Sequence, residues 1–369
     1  GGILNTWREF KIPAFTPVLL NLSSIIASLF LAPYLEQPIY ALAIAVFVGG
    51  VLQLAIQVPA LIKIGMLPRL SINPMYALRD PGVMRVLRKM GPAVFAVSAA
   101  QISIMINTNI ASRLEAGSVS WLGYADRLME FPTALLGVAL GTILLPSLSK
   151  ANSDGDTAEY SALLDWGLRL TFLLALPCAI ALATLSLPLT TTLFHYGKFD
   201  EQAVTMTGNA LIAYGVGLIG LIVVKILAPG FYAKQNIKTP VKIAVGVLIA
   251  SQFMNMIFVP WIAHAGLALS VGLGACLNAL FLYSGLKRRG IYVAQSGWMF
   301  FFIRLVGALF LMAGIGLWIS GYVDWIGLQT QPLKRIMLLA TVMMACVLTY
   351  FGALFAMGFR VTDFKRITS

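Results

Sequence analysis

Polar and apolar positions along this chain alternate on a long wavelength. Apolar stretches of about twenty residues, the length needed to cross a hydrocarbon core of ~30 Å, are separated by short charged or Pro/Gly-rich breaks. Ten can be marked: Ile12 to Ala32, Ile39 to Ile62, Met90 to Ala111, Tyr124 to Leu148, Leu164 to Leu187, Val204 to Pro229, Thr239 to Pro260, Ala263 to Leu286, Trp298 to Ser320 and Leu333 to Gly358. In lipid each backbone N–H and C=O must be satisfied within its own segment or a closed barrel. The pattern therefore predicts an all-α polytopic membrane protein with ten transmembrane helices.

The breaks carry orientation. Basic residues cluster at every second one: Arg8 and Lys11; Lys63, Arg69, Arg79, Arg85, Arg88 and Lys89; Lys234, Lys238 and Lys242; Lys287, Arg288 and Arg289; Arg360, Lys365 and Arg366. By the positive-inside rule these loops face the cytoplasm, as do both ends of the chain. Two features run against the rule: Lys334 and Arg335 open the last span on the sparse side, and the loop from Asn152 to Glu159 on the basic side is acidic. In the longest loop, Lys63 to Met90, the positions Val83, Leu87 and Met90 share one helical face, which suits a short helix on the membrane surface. A solvated topology signal is the alternative.

Composition agrees with the pattern. Hydrophobic residues make up 59% and charged residues 11%, whereas charged residues approach about 25% in soluble domains. The net charge of +12 is spread over several loops, which excludes a nucleic-acid patch and points to anionic lipids as contacts. Cys178, Cys276 and Cys346 lie inside apolar segments and read as inert thiols. His195 and His264 stand alone near segment ends. With no metal-ligand spacing, no paired catalytic carboxylates and no nucleophile pattern, the chain is expected to be neither an enzyme nor a holder of cofactor or metal.

One span breaks the apolar rule. Tyr124-Ala125-Asp126-Arg127-Leu128-Met129-Glu130-Phe131-Pro132 places three charges in the first third of a segment that continues to Leu148. Each charge at mid-membrane costs about 2.5–3.5 kcal/mol on translocon-type scales. Arg127 and Glu130 are three apart and Asp126 and Glu130 four apart, so all three form one polar flank. They are candidates for contact with a charged substrate. Alternatively, the two acids neutralise a buried Arg127 and lock the helix. Lys225, near the inner end of its span, is a candidate gate contact or a snorkelling cation. Asn107 and Asn255 are candidate cavity polar groups or interhelical hydrogen-bonding partners.

An internal repeat is visible. Leu42-Ala43-Ile44-Ala45-Val46 through Gly49 to Leu52-Gln53 aligns without gaps with Leu267-Ala268-Leu269-Ser270-Val271 through Gly274 to Leu277-Asn278. Thr16-Pro17 is likewise echoed by Thr239-Pro240. The offset is six spans, which predicts a parallel repeat of six-helix units. Residues 1–62 would be the last two helices of a first lobe, 63–89 a basic cytoplasmic interlobe loop, 90–290 a second six-helix lobe and 291–369 a two-helix hairpin. On this arithmetic about four helices are expected to be missing from the N-terminus. Gly1 to Lys11, polar and without a signal-peptide core, reads as a start partway through a longer chain. The aromatic hairpin either packs peripherally against lipid or lines a groove for an acyl or polyprenyl tail.

The charged run, with its continuation Gly137-Val138-Ala139-Leu140-Gly141-Thr142-Ile143-Leu144-Leu145-Pro146-Ser147-Leu148-Ser149, closely resembles the signature of the MurJ family of lipid II flippases in the MOP superfamily. Lys225-Ile226-Leu227-Ala228-Pro229-Gly230-Phe231-Tyr232, Leu193-Phe194-His195-Tyr196-Gly197-Lys198-Phe199 and Ile237-Lys238-Thr239-Pro240-Val241-Lys242 resemble further stretches of that family. The resemblance implies a two-lobe transporter with an extra C-terminal hairpin in the bacterial inner membrane. It also implies a cationic cavity that meets the diphosphate of lipid II, with Arg127 and Glu130 at the family's functional positions and cell-wall synthesis proteins as further partners. Some relatives are thought to bind sodium through acids in the second lobe. Here the third span offers Gln101, Asn107 and Asn109, and the seventh Gln252 and Asn255, with no carboxylate.

The resulting expectation is a carrier in which Arg127 pairs with Glu130 or Asp126 when empty and exchanges that partner for phosphate oxygens when loaded. The alternatives are a drug or cation antiporter of the same superfamily, a flippase for another polyprenyl-diphosphate oligosaccharide, and a non-transporting scaffold for cell-wall enzymes.

Overall fold

The computed structural model describes residues 2–7, 9, 11–66 and 80–360, with backbone alone at residues 5, 88–100 and 138. Among the described residues all regular structure is helical. After one turn at Gly2–Thr6 come α1 (Lys11–Ile26), prolonged by a π-turn at Ala27–Leu31 and a 3-10 turn at Ala32–Tyr34, and α2 (Ile39–Lys63). Then follow α3 (Pro81–Ser112), α4 (Ser118–Ser153), α5 (Thr157–Thr184), the short α6 (Ser186–Phe194), α7 (Glu201–Tyr232), α8 (Lys238–Arg288), α9 (Trp298–Gly321) and α10 (Pro332–Ala356).

Eight helices among the described residues are long and apolar enough to cross a membrane, against the ten spans expected. Two local causes account for the difference. The seventh and eighth expected spans are both in α8, which breaks at Ile262 (φ −128°, ψ 21°) and Ala263 (φ 47°, ψ −128°), just after Pro260. Its halves fold back on each other: a Cβ on Gly266 would lie 2.6 Å from the Phe258 backbone, and one on Gly274 would run into Ser251 Oγ. These pairs lie progressively farther from the break on both sides, as in an antiparallel hairpin. The third expected span falls in α3, partly outside the described side chains. The surface helix expected at Val83 to Met90 is instead the first part of α3, which begins at Pro81. The side chain of Met90 lies outside the described residues, as do Arg69 and Arg79.

The chain divides into two compact units, Gly1–Lys89 and Met90–Ser369. In the first, α1 crosses α2 where Gly49 faces Leu20: a Cβ there would sit 2.7 Å from Leu20 Cδ1. Ala27, Ala41 and Ala45 form the small buried centre of this unit. Small residues at the contact let two membrane helices approach closely.

In the second unit α7 is the buried axis, packed by α4, α5, α6 and α8. Glycine sets its crossing with α8. A Cβ on Gly217 would collide with the Gly272 backbone, and one on Gly220 would lie 2.5 Å from Cys276 N. The acidic loop that broke the charge rule has a local use, since Asp156 caps α5 by accepting from Glu159 N–H at 2.8 Å. Asp200 does the same for α7 through Ala203 N–H, also at 2.8 Å. Carboxylates at helix N-termini are favoured by unpaired N–H groups and the macrodipole.

The terminal hairpin is built into this unit. Leu305, Met312, Leu339, Val342 and Tyr350 of α9 and α10 share a core with Leu173 and Leu185. Tyr350 Oη also donates to the Leu173 carbonyl at 2.6 Å. Phe300, Phe310, Trp318 and Phe355 remain exposed on its outer side, as side chains bathed in lipid would be.

Candidate functional site

The charged flank sits on α4. Trp121, Ala125, Met129, Pro132, Thr133, Leu140, Leu144 and Leu148 are buried, at the three- and four-residue spacing of one helical face. Ala125 and Met129 pack with Ala210, Ala213 and Tyr214 of α7. Asp126, Arg127 and Glu130 lie off that face, and all three are exposed. The expected pairing of Arg127 with an acid is not formed: neither Asp126 nor Glu130 comes within 4.0 Å of it, whereas Arg169 and Asp165 do pair, at 2.8 Å. The spacing put the three charges on one flank but left each guanidinium and carboxylate free of its neighbour.

Lys225 is brought to the same helix, a relationship the sequence reading did not anticipate. Its side chain runs across Gly137 of α4, where a Cβ would collide with Lys225 Cδ. Its Nζ donates to the Thr133 carbonyl at 3.3 Å. Helical side chains lean toward the N-terminus of their own helix, which carries the ammonium toward the turn after Glu130. The glycine is the local condition for this: only a residue without Cβ leaves a channel for the lysine stem. Lys225 is half-buried and reaches the neighbouring helix rather than snorkelling outward. Taking 1.5 Å of rise per residue, the Thr133 level lies about 9 Å along α4 from Arg127.

Asn107 and Asn255 meet between α3 and α8. Asn255 Nδ2 donates to Asn107 Oδ1 at 2.9 Å and to Gln252 Oε1 at 3.1 Å. Gln252 Nε2 donates to Ser103 Oγ at 3.2 Å. Four neutral side chains thus close on one another through amide donors and side-chain oxygens. The carboxylates that would balance a cation's charge are not part of this hydrogen-bonded group, and Asn255 Oδ1 is left buried without a hydrogen-bond partner. Among the described residues no group of three or more His, Cys, Asp or Glu converges to hold a metal.

Two polar sites escaped the sequence reading. Asp165, buried at 0% exposure, accepts from Tyr292 Oη at 2.7 Å, Trp298 Nε1 at 2.9 Å, Gln295 N–H at 3.2 Å and Arg169 Nε at 2.8 Å. Arg169 also donates to the Ser296 carbonyl at 2.7 Å and lies over the Trp298 ring. This node fastens α5 to the loop that opens α9. Burial first, then the hydrogen bond to the charged Asp165, pushes the Tyr292 phenol well above its ordinary range. Its only sequence signal is the i, i+4 spacing of Asp165 and Arg169. The second site is around Arg335, whose one signal was that it ran against the charge rule at the start of the last span, and which is fully buried.

Beside the Asp165 node an apolar groove of about 660 Å³ is lined by Leu168, Val223, Ala279, Tyr283, Trp298 and Phe302. It lies along α5, α7, the second half of α8 and the start of α9. The helix α10 does not line it.

A family model described as lipid II flippase MurJ matches residues 1–337. The chain belongs to the MurJ family. It is 61% identical over 365 residues to the lipid II flippase MurJ of Burkholderia cenocepacia, covering 99% of this chain and 71% of that relative. It is 37% identical over 369 residues to the probable lipid II flippase MurJ of Vibrio cholerae, covering 100% of this chain and 69% of that one. A solved structure, lipid II flippase MurJ in an inward closed conformation, superposes with a TM-score of 0.76 at 22% identity over 96% of this chain and 70% of that one, and so shares the fold. The expectation of a family member lacking about four helices is corrected by these matches. The family match starts at residue 1 of this chain, and the relatives align over 99–100% of it and 69–71% of their own length.

Proposed function

We propose that this chain is a multi-pass carrier of the bacterial cytoplasmic membrane that moves lipid II from the inner to the outer leaflet. Family membership supports the substrate and the absence of bond-making chemistry. A lipid with a diphosphate, sugars and a peptide cannot take its head through hydrocarbon. A carrier must offer the head a polar path while the tail stays in lipid.

The observation that carries the residue assignment is the placement of Arg127 on an exposed flank of α4, tied to neither acid within 4.0 Å. An arginine fork stays charged and binds phosphate oxygens two at a time. Nothing has to be broken before that guanidinium meets a diphosphate. With Glu130 and Asp126 on the same flank and Lys225 nearby, the four formal charges balance when no head is present. Lys225 of α7, anchored at the Thr133 carbonyl, brings a second cation to the same helix, within the span of a diphosphate and its first sugar. Asn107 and Asn255 hold α3 to α8 rather than touch the head.

Movement follows the two-lobe plan, with rocking of one lobe against the other exposing the head to either side in turn. The division into compact units at Lys89 and Met90 supports the second lobe starting there, and the alternating basic loops support cytoplasmic ends and contacts with anionic lipid. The test is depletion of the resident flippase from bacterial cells with and without this chain supplied. Inner-leaflet accumulation of the precursor on depletion, reversed by the chain, is expected; unchanged sidedness would refute the reading.

A further inference from the structure

The start of α10 buries a cation that the fold does not neutralise. Arg335 is 0% exposed, His195 3% and Thr192 3%. The guanidinium makes one long hydrogen bond, Nη2 to the His195 carbonyl at 3.4 Å, and stacks 4.9 Å from the Tyr196 ring centroid. Its Nε and Nη1 have no hydrogen-bond partner among the described residues. Two further buried polar atoms without a partner, His195 Nδ1 and Thr192 Oγ1, belong to the same four-residue stretch whose carbonyl Arg335 reaches.

No described carboxylate approaches Arg335 within 4.0 Å. The acids nearest in sequence to His195 and to Arg335 are engaged elsewhere: Asp200 accepts from Ala203 N–H at 2.8 Å and Asp324 from Gly327 N–H at 2.9 Å. The His195 carbonyl ends α6 and supplies part of a negative helix terminus. A helix end and a ring face compensate a guanidinium only in part, and a buried charge without a full partner is strongly disfavoured. Unpaired N–H groups of Arg335, with a histidine nitrogen and a hydroxyl able to donate, form a donor set of the kind that binds an anion.

We propose that Arg335, His195 and Thr192 form a binding site for a small inorganic monovalent anion of about the size of chloride. The near-complete enclosure of all three side chains selects size: it admits at most a small bare ion, whereas a phosphate or a lipid headgroup brings oxygens that need room and more donors. The bound anion clamps α10 to the end of α6, opposite in the hairpin to the Asp165 node. The site is built from α6 and α10 and uses none of the residues assigned to the head group, so its test does not depend on the transport reading.

The test is thermal unfolding of the full chain in neutral phosphatidylcholine nanodiscs at constant ionic strength, with chloride replacing gluconate in steps. The midpoint is expected to rise saturably with chloride, as for any ligand that binds the folded state alone, and to follow bromide as well. Arg335→Gln is expected to abolish the dependence. Identical melting of the unsubstituted chain in chloride and gluconate would overturn the proposal, as would an Arg335→Gln variant that keeps the full chloride response. If Arg335→Gln does not fold, Thr192→Val decides, since it keeps the cation and removes one donor. A several-fold higher half-saturating chloride concentration supports the site, and an unchanged one refutes it.

Discussion

Lys225 Nζ meets the Thr133 carbonyl at 3.3 Å by passing over Gly137, so a cation from α7 is delivered to the charged helix α4 through a gap that one glycine keeps open. Lys225→Met keeps the stem packed and removes the charge. Loss of one charge-assisted contact of about 1.5–3 kcal/mol corresponds to roughly 10–100-fold weaker head-group binding. Translocation in cells should fall accordingly while protein level and melting temperature stay near those of the unsubstituted chain. Gly137→Ala should reproduce part of that loss by deflecting the lysine.

The Asp165 node makes a different prediction, because its failure is structural. Asp165→Asn leaves Arg169 without its acid and turns one acceptor oxygen into a donor facing N–H groups. A stability loss on the order of 3 kcal/mol is expected, read as a lowered melting temperature. Tyr292 adds a pH signature. Its phenol is held protonated in the folded chain, so its contribution is intact below the unfolded tyrosine value of about 10 and is lost as pH rises above it. Tyr292→Phe should be less stable than the unsubstituted chain at neutral pH, and the gap should narrow above about pH 10.

Glycine contacts between α7 and α8 predict position-specific intolerance. A methyl at Gly217 must push the Gly272 backbone away, and no side chain can yield instead. Gly217→Ala should cost at least about 1–3 kcal/mol or abolish accumulation. Gly246→Ala and Gly314→Ala, where a Cβ meets nothing within 4 Å, should be neutral or gain up to about 1 kcal/mol from helix propensity.

The break in α8 holds Ala263 at φ 47°, a conformation that glycine adopts without penalty. Ala263→Gly should stabilise the chain by about 1 kcal/mol, measured by the same melting experiment. A destabilised variant would show that the alanine methyl makes compensating contacts.

Much of this architecture could be read from the chain because lipid imposes two strict rules, on length and on charge. Apolar stretches of spanning length are helices, and the flank of Asp126, Arg127 and Glu130 follows from helical spacing alone. What escaped was tertiary. Periodicity carries no information about which helix Lys225 leans across, since that depends on a glycine 88 residues away in sequence. Arg335 sits beside Lys334 at the start of a span and looks like any interfacial cation; only the packing of α6 against α10 buries it. Pro260 marked a boundary correctly, yet the turn after it is so tight that two spans read as one continuous helix. The missing-helix arithmetic failed for another reason: a repeat offset measured in small apolar residues constrains symmetry, and it does not establish what precedes the first copy.

Arg127 carries the central claim, and leaflet sidedness of the precursor measures it most directly. In cells depleted of their own flippase and supplied with the Arg127→Ala chain at normal level, lipid II should accumulate in the inner leaflet as it does with no chain supplied. Translocation at the rate of the unsubstituted chain would contradict the assignment and leave the charged flank of α4 with a structural role only.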